Sequence, residues 1–548
     1  MAIPMKRLAF AFAAALVSLA AGPARAQKFL PDDPVLKDRD DLPIDLPAEI
    51  ELATSYDVLE NSWHHRPDKT SIPAAQNANT LGEVPDSSWF TNRIGVKTMS
   101  IEELVRGPNR RDGPATEQAW TVIGGKSGGI TPGFTMRDGR GDIYFVKFDP
   151  PQYFGLSTGA DVIGSKFFHS FGYYVPENWV VYVEQARLRV GEGAQVRVRS
   201  GKPRPMTQAD LDAMMTNVAR LPDGRIRCVA SRAVPGKVVG PHKYYGTRPD
   251  DPNDVIPHEH RRELRGYRVF STWLNHDDSR SVNSINSYVK AGERGYLVHY
   301  LQDFSSMLGS GSDWQHRIAP QNPRAGNEYI LEVGPILKTA LSLGLWERPW
   351  RGVKYRVYPQ VGGIEAEFFD PDQWKPEYPN PAFERMLPED AFWAARIVSK
   401  FSDAAIQAIV KEGDFRASEA EAHLASMIEK RRDKIVARYF GSLNPLADFT
   451  VTTDAVRFAN YGEDAGLARV EAYEHEWFAF NNQTSGTEPL GAAVRAPGRS
   501  LPLPAARPEY LMLRIRTHAP GFPAWGKRVD VYLRSGASLA IVGVDRES

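Results

Sequence analysis

Cysteine is nearly missing from this chain. A single thiol, Cys228, stands among 548 residues, so no intramolecular disulfide can form and stability has to come from buried cores. It lies in Ile226-Arg227-Cys228-Val229-Ala230, a strand-like run that reads as a buried structural thiol rather than a nucleophile. An excess of one charge sign is missing too. Lys plus Arg and Asp plus Glu both number 67, and that balance gives no reason to expect nucleic acid or an anionic membrane as a partner. The apolar stretch from Leu8 to about Gly22 is shorter than the roughly 20 residues that cross a bilayer. With Lys6-Arg7 before it and Ala24-Arg25-Ala26 after it, it reads as a secretory leader cut after Ala26. No cysteine stands at the cut to carry a lipid. The expected mature chain is periplasmic or secreted and has no transmembrane anchor.

Familiar catalytic motifs also fail on spacing. His258-Glu259-His260 lacks the HExxH interval that puts two zinc ligands on one helical face. Gly125-Lys126-Ser127 would need a glycine where Trp120 stands to complete a P-loop. The adjacent rings of His64-His65 do not converge, and no third ligand is evident nearby.

What is present divides by texture, because 548 residues are too many for one core. After the leader at 1–26, residues 27–117 are rich in Pro, Asp and Asn and read as an extended arm docked through Trp63, Trp89 and Phe90. Residues 118–236 are β-rich: strands at 119–123 and 142–148, a helix from 158 or 159 to about 171, a central strand at 179–183 and another at 225–233. Thr207-Gln208-Ala209-Asp210 is a capping-box start for a helix to about 221, and Pro235-Gly236 marks a break. Residues 237–445 are mainly helical, with helices from 258 to 274 and at 332–345, 390–401, 403–412 and 419–440. From 446 to 548 the period changes to strands at 449–458, 468–480, 510–516, 528–533 and 539–544, which suggests a small antiparallel sandwich or partial barrel. The fold class is α+β.

One constellation carries chemistry. Asp278 and Asn283 are five apart, a loop spacing that lets both side chains face one site. Asp303 returns beside them if 285–289 pairs with 296–301 as a hairpin. Carboxylate and amide oxygens of this kind handle protons or hard divalent cations. Upstream, Gly124, Gly125, Gly128 and Gly129 let backbone approach phosphate oxygens without a Cβ in the way, and Lys147 sits on the following strand.

His276 to Asn283 fits HxDxxxxN, and Asp303-Phe304-Ser305 stands twenty residues on, where kinases carry DFG. In this order, glycine hairpin, strand lysine, helix, hinge, helix, HxDxxxxN, hairpin, Asp-Phe, the sequence resembles the atypical protein-kinase-like superfamily, especially its HipA and phosphoinositide-kinase-like branch. The resemblance covers roughly 118–442. The sequence is also similar to exported bacterial proteins carrying NHDD and DFxSxLGSG-type segments.

The resemblance implies a two-lobed kinase-like core, a β-rich N-lobe and a helical C-lobe, followed by the antiparallel β-rich domain. It implies that Lys147 and the four glycines hold ATP or another nucleotide, with Asp161 as the helical acid that pairs with Lys147. Asp278 would accept a hydroxyl proton, with Asp277 as the alternative base and His276 supporting the loop. Asn283 and Asp303 would hold Mg²⁺ or Mn²⁺. Ser305 departs from the family's glycine, and Asp161 from its glutamate. The expected reaction transfers a phosphoryl or other nucleotide-derived group to a protein, sugar or lipid hydroxyl. The alternative is a catalytically inactive ligand- or partner-binding envelope protein that docks through its C-terminal strands. A carbohydrate-active hydrolase would need two carboxylates facing across a cleft, and no pair in the sequence singles out such a site.

Overall fold

The computed structural model describes residues 27–126, 132–197, 202–292, 294–311, 324–353 and 358–547. Helices and several antiparallel sheets are both present, so the chain is α+β. It divides into a larger unit, 36–445 with 461–467, and a smaller one, 446–460 and 468–547 with the described part of the stretch that ends at Val35. The stretch read as one arm, 27–117, is thus shared between the two units.

In the larger unit β1 (Trp120–Gly125), β2 (Gly133–Arg137) and β3 (Ile143–Phe148) form an antiparallel meander. With β4 (Asn178–Val183), β5 (Leu188–Arg197), β6 (Pro203–Pro205) and β7 (Ile226–Arg232) they make a seven-stranded sheet in the order β4-β7-β3-β2-β1-β5-β6. Alternate residues point to one face. There Trp120, Val122, Met136, Tyr144, Val146 and Phe148 are buried with Ile226, Cys228 and Ala230, so the thiol is a core group. One sequence expectation needs correction: 179–183 is an edge strand, not a central one. Its apolar run looks central because both faces are covered, but a loop covers one of them. Asn109 Nδ2 donates to Asn178 O at 2.9 Å, and a Cβ on Gly113 would lie 2.9 Å from Trp179 Cγ.

Helix α1 (Leu156–Phe171) is buried along nearly its whole length, its polar residues Asp161 and Lys166 included. A Cβ on Gly164 would lie 2.4 Å from both Met307 Sδ and Phe304 Cβ, so the glycine is what lets that loop lie against the helix. The N-terminus of α1 is capped from a distance. Asp149, fully buried, accepts the N–H groups of Gly155 (2.9 Å), Ser157 (2.9 Å) and Thr158 (3.0 Å). It also pairs with the buried guanidinium of Arg227 at 3.4 Å, which donates in turn to Asp414 O at 2.6 Å. One carboxylate therefore satisfies orphan helix donors and ties α1 to β7. Helix α2 (Gln208–Met215) opens on the Thr207–Asp210 capping box but stops before 221. There the Thr216 hydroxyl turns back to Ala213 O (2.7 Å), and the Ala219 N–H leaves to Asp149 O (2.9 Å).

The helical part is built around α3 (Arg262–Leu274), against which α4 (Pro388–Ser399) and α6 (Ser418–Phe440) pack, with α5 (Asp403–Lys411) against α6. Arg431 of α6 donates to Thr272 O (2.6 Å) and Trp273 O (2.9 Å), satisfying the last carbonyls of α3. The helix read at 332–345 spans Val333–Leu341. Strand β8 (Lys237–Val238) joins the hairpin of β9 (Ser284–Ala291) and β10 (Arg294–Leu301), whose register sets Leu301 opposite Ser284. The residue after α3, Asn275, takes the left-handed conformation that ends the helix and releases the chain toward β9.

Of the three aromatics expected to dock the arm, Trp89 and Phe90 are buried but Trp63 is 60% exposed. The inward face of the short helical stretch Thr54–His64 is polar instead. Asp57 on it accepts the Tyr378 hydroxyl at 2.6 Å and the Ser281 hydroxyl at 3.1 Å.

In the smaller unit β11 (Leu446–Val451) and β12 (Ala455–Asn460) form a hairpin where the sequence reads as one strand at 449–458. Thr452 donates to Asp454 at 2.7 Å and makes the turn. β13 (Ala472–Phe480), β14 (Thr487–Pro489), β15 (Val494–Ala496), β16 (Ser500–Pro502), β17 (Tyr510–His518), β18 (Val529–Arg534) and β19 (Ala540–Arg546) complete it. β16 pairs with β12, and the others form an antiparallel sheet in the order β14-β13-β17-β18-β19 with β15 on β13. Among the described residues no helix is long and apolar enough to cross a membrane.

Asp149→Ala will orphan three N–H donors and leave Arg227 without its buried counterion. The expected cost is about 3–5 kcal/mol, well above the ~1 kcal/mol of an ordinary N-cap. Equilibrium urea unfolding measures it, and a loss of 1 kcal/mol or less by this yardstick rules the double role out.

Candidate functional site

Three separate elements bring their charges to one point. Lys147 lies near the end of β3, Asp161 one turn into α1, and Asp303 two residues beyond β10. The Lys147 ammonium donates to Asp161 Oδ2 at 3.0 Å and to Asp303 Oδ1 at 2.6 Å. Asp161 uses its other oxygen to accept the Phe304 N–H at 3.1 Å and the Asn178 amide at 3.4 Å. The short Asp161 side chain thus bridges the Lys147 ammonium and the backbone of Phe304. Phe304 seats that bridge: fully buried, it stacks on Phe168 of α1 with ring centroids 4.8 Å apart. Asp303 has φ +59°, a left-handed conformation uncommon for a non-glycine residue.

The electrostatics follow from burial and pairing. Burial would lower the Lys147 ammonium, but Asp161 and Asp303 outweigh it and hold it raised. Burial would raise Asp303, but Lys147 and the Ser305 hydroxyl hold it low. Side-chain exposure is 2% for Asp161, 13% for Lys147 and 34% for Asp303, so Asp303 is the member open to solvent.

The His276–Asn283 segment lies next to it. His276 is fully buried, its ring 5.5 Å from Phe304, 5.7 Å from Phe168 and 6.1 Å from Tyr267. Burial pushes it down to about 3, and neither ring nitrogen has a hydrogen-bond partner among the described residues. It packs beneath the loop as a neutral imidazole and takes no direct part in the charge cluster.

The two adjacent aspartates differ. Asp278 pairs with Arg280, whose Nη2 donates to Oδ2 at 3.0 Å and whose Nη1 stands 3.2 Å from Glu377. Burial and Glu377 raise Asp278, and Arg280 opposes the rise. Asp277 has one carboxyl oxygen, Oδ1, without a partner among the described residues, and burial together with Glu377 pushes it up to about 8. Asn283 donates through Nδ2 to Asp278 O at 2.8 Å, while its backbone O accepts the Gln302 N–H at 3.0 Å. That second bond places Asn283 beside the chain entering Asp303.

Gly124 and Gly125 end β1, where the register to β2 shifts. At the other side of the turn a Cβ on Gly133 would lie 2.3 Å from Val146 O, so only glycine fits against β3. Gly128 and Gly129 lie outside the described residues.

Four contributors escaped the sequence reading. Lys126 faces the charges of Lys147, Asp303 and Asp161, and burial lowers it; its only signal was the Gly-Lys-Ser that fails the P-loop spacing. Arg280 and Glu377 clamp the aspartates, and Asp57 pins Ser281 from more than two hundred residues away in sequence. Glu377 lies in a proline-punctuated loop with no period to mark it. His65 stacks on Tyr245, centroids 3.9 Å apart, and no group of three or more metal-binding side chains of the His, Cys, Asp and Glu types is found among the described residues.

No family model matches the sequence, and no curated protein matches it. Among solved structures the chain is similar to one titled "Crystal structure of the golgi casein kinase", at 9% identity over 68% of this chain and 97% of that chain, with a TM-score of 0.26. At that score the likeness carries no argument about function.

The raised Asp277 carboxyl sets a pH test. Its folded value lies above its unfolded 3.8, so its stabilising contribution is whole below that pH and is lost as pH rises through about 8. Asp277→Asn removes the slope. The variant should gain on the wild type across that window by up to about 1.4 kcal/mol per pH unit. Urea unfolding at pH 5 and pH 8 measures the gap, and a gap that does not widen means the carboxyl ionises normally in the fold.

Proposed function

We propose that this chain is an exported kinase-like enzyme that transfers a phosphoryl or other nucleotide-derived group to a hydroxyl on a protein, sugar or lipid. The observation that carries the reading is the Lys147 ammonium held between Asp161 and Asp303. A strand lysine, a helical acid and a post-hairpin aspartate meet in the chain order of a phosphotransferase site. The export half of the proposal rests on the leader-like residues 1–26.

The donor set suits the groups this chemistry needs. Asp303 and Asn283 offer hard oxygens, the kind that Mg²⁺ or Mn²⁺ takes. Such a cation, bound with ATP, would supply charge neutralisation on the phosphate oxygens. Lys147 orients phosphate, and Lys126 adds a second positive charge beside it. Gly124 and Gly125 on β1 and Gly133 on β2, opposite Lys147, add no side chains there. Asp278 takes the acceptor's proton. It is more accessible than Asp277, its side chain being 14% exposed, and although burial and Glu377 raise its carboxyl, Arg280 beside it opposes the rise. Asp277, pushed up to about 8, stays a neutral acid beside it.

A second reading, a binding module without turnover, draws support from a specific feature. Lys147 is already neutralised by two carboxylates and Asp278 by Arg280, so each group has a protein partner.

Thermal shift with Mg²⁺ or Mn²⁺ and ATP tests the first reading. Ligand at about 100 times Kd stabilises by ~2.7 kcal/mol, so the wild type should melt several degrees higher and Asp303→Ala should not respond. No shift with either metal would sink it. Stabilisation with no phosphate transferred, read by intact mass of candidate acceptors, selects the second reading.

A further inference from the structure

The smaller unit holds residues of the chain's own N-terminal stretch in the way a receptor holds a peptide. Asn482, in the turn after β13, reads backbone from both sides. Its Oδ1 accepts the Phe29 N–H at 2.8 Å, its Nδ2 donates to Phe29 O at 2.9 Å, and its backbone O accepts the Lys28 N–H at 3.0 Å. A buried ring pocket and a part-exposed charge contact add selectivity. The Phe29 ring is 2% exposed, with centroid distances of 5.0 Å to Tyr532, 6.1 Å to Phe480 and 6.3 Å to Tyr510. The floor of that pocket is Gly543, where a Cβ would lie 2.3 Å from the ring. The Lys28 ammonium pairs with Asp545, meets the Tyr532 hydroxyl at 3.2 Å and lies 4.3 Å from the Tyr532 ring centroid.

Beyond this pair the stretch is held by polar contacts: Arg534 donates to Leu30 O at 2.9 Å and to Asp33 O at 3.2 Å, and Gln483 Nε2 donates to Gln27 Oε1 at 3.4 Å, while the Leu30 side chain is 50% exposed and Val35, closing the stretch, is 40% exposed. No strand forms between 27 and 35. A cavity of about 790 Å³ opens beside Gln27, with Asn481, Gln483, Glu488 and Glu509 among its lining, and the resident segment leaves it largely unfilled. Backbone read by main-chain-type hydrogen bonds, a ring pocket with a charge contact beside it and spare room are the features of a site for extended peptides.

We propose that the smaller unit is a peptide-recognition module for an extended segment carrying Lys followed by an aromatic residue, and that Lys28-Phe29 is its resident, displaceable ligand. A partner peptide would place its Lys-aromatic pair at the same two positions and its preceding residues in the cavity. Glu488 and Glu509 there, against the cation Arg534 in the lining, favour polar or basic residues before the lysine.

The test uses the full chain carrying Phe29→Ala and a fluorescent peptide of sequence Gln-Lys-Phe-Leu-Pro-Asp-Asp. Anisotropy should show saturable binding to the variant, at least about tenfold weaker binding to the wild type, where the resident segment competes, and a similar loss for a peptide with Ala in place of Phe. Gly543→Val in the Phe29→Ala chain should abolish binding by filling the pocket. If Phe29→Ala does not fold, a protease site inserted after Val35 of the wild type replaces it, and labelled peptide should exchange into the chain once it is cut. Absence of saturable binding to a folded Phe29→Ala chain, or of exchange after cutting, overturns the proposal and leaves Phe29 a core residue of the unit.

Discussion

One ammonium group carries the organisation of the larger unit's site. Lys147 is nearly buried, and a buried cation is tolerated only where counter-charges meet it with good geometry. Asp161 and Asp303 do so from a helix and from the loop packed against it. The demand for pairing therefore fixes the height of α1 over β3 and the path of the chain after β10. Phe304 and Gly164 are the packing counterparts of that pairing: the ring stacks on α1, and the missing side chain lets the loop lie against it. Charge specifies the arrangement, and close packing makes it single-valued.

The same device recurs through the unit. Asp149 caps α1 from outside the helix and neutralises Arg227 on β7, while Asp57 holds Ser281 and Tyr378. Each carboxylate spends its oxygens on partners from different elements, so each fixes a distance that apolar packing would leave slack. The aspartates beside the site are the exception. Asp277 keeps an unpartnered oxygen and a proton-retaining environment, the kind of perturbation that concentrates at functional positions.

Much of the secondary structure was legible. Strand-like runs marked β1, β3 and β7, and the Thr207–Asp210 box marked the start of α2. The misplacements share a cause. The run at 179–183 looked central because local pattern shows that both faces are covered, not what covers them. The break at 452–454 was invisible because it rests on Thr452 contacts to Asp454 and Ala455 rather than on glycine or proline. Trp63 looked like an anchor on hydrophobicity alone, whereas the buried face of its helical stretch is polar.

For the site, the sequence by itself determined which groups were available and in what order. Asp278, Asn283 and Asp303 are separated by spacings that a short loop and a hairpin can close, and spacing is a local property that sequence carries; Lys147 and Asp161 lie more than a hundred residues upstream. Only the tertiary structure decided which of them touch. It alone placed Lys126 toward the cluster, set Arg280 and Glu377 around the two aspartates, and put a lysine and a phenylalanine from the N-terminal stretch into the far end of the chain. Those contacts join residues up to several hundred positions apart, and their energy comes from removing paired charges and aromatic rings from water. Neither quantity exists until the chain has folded.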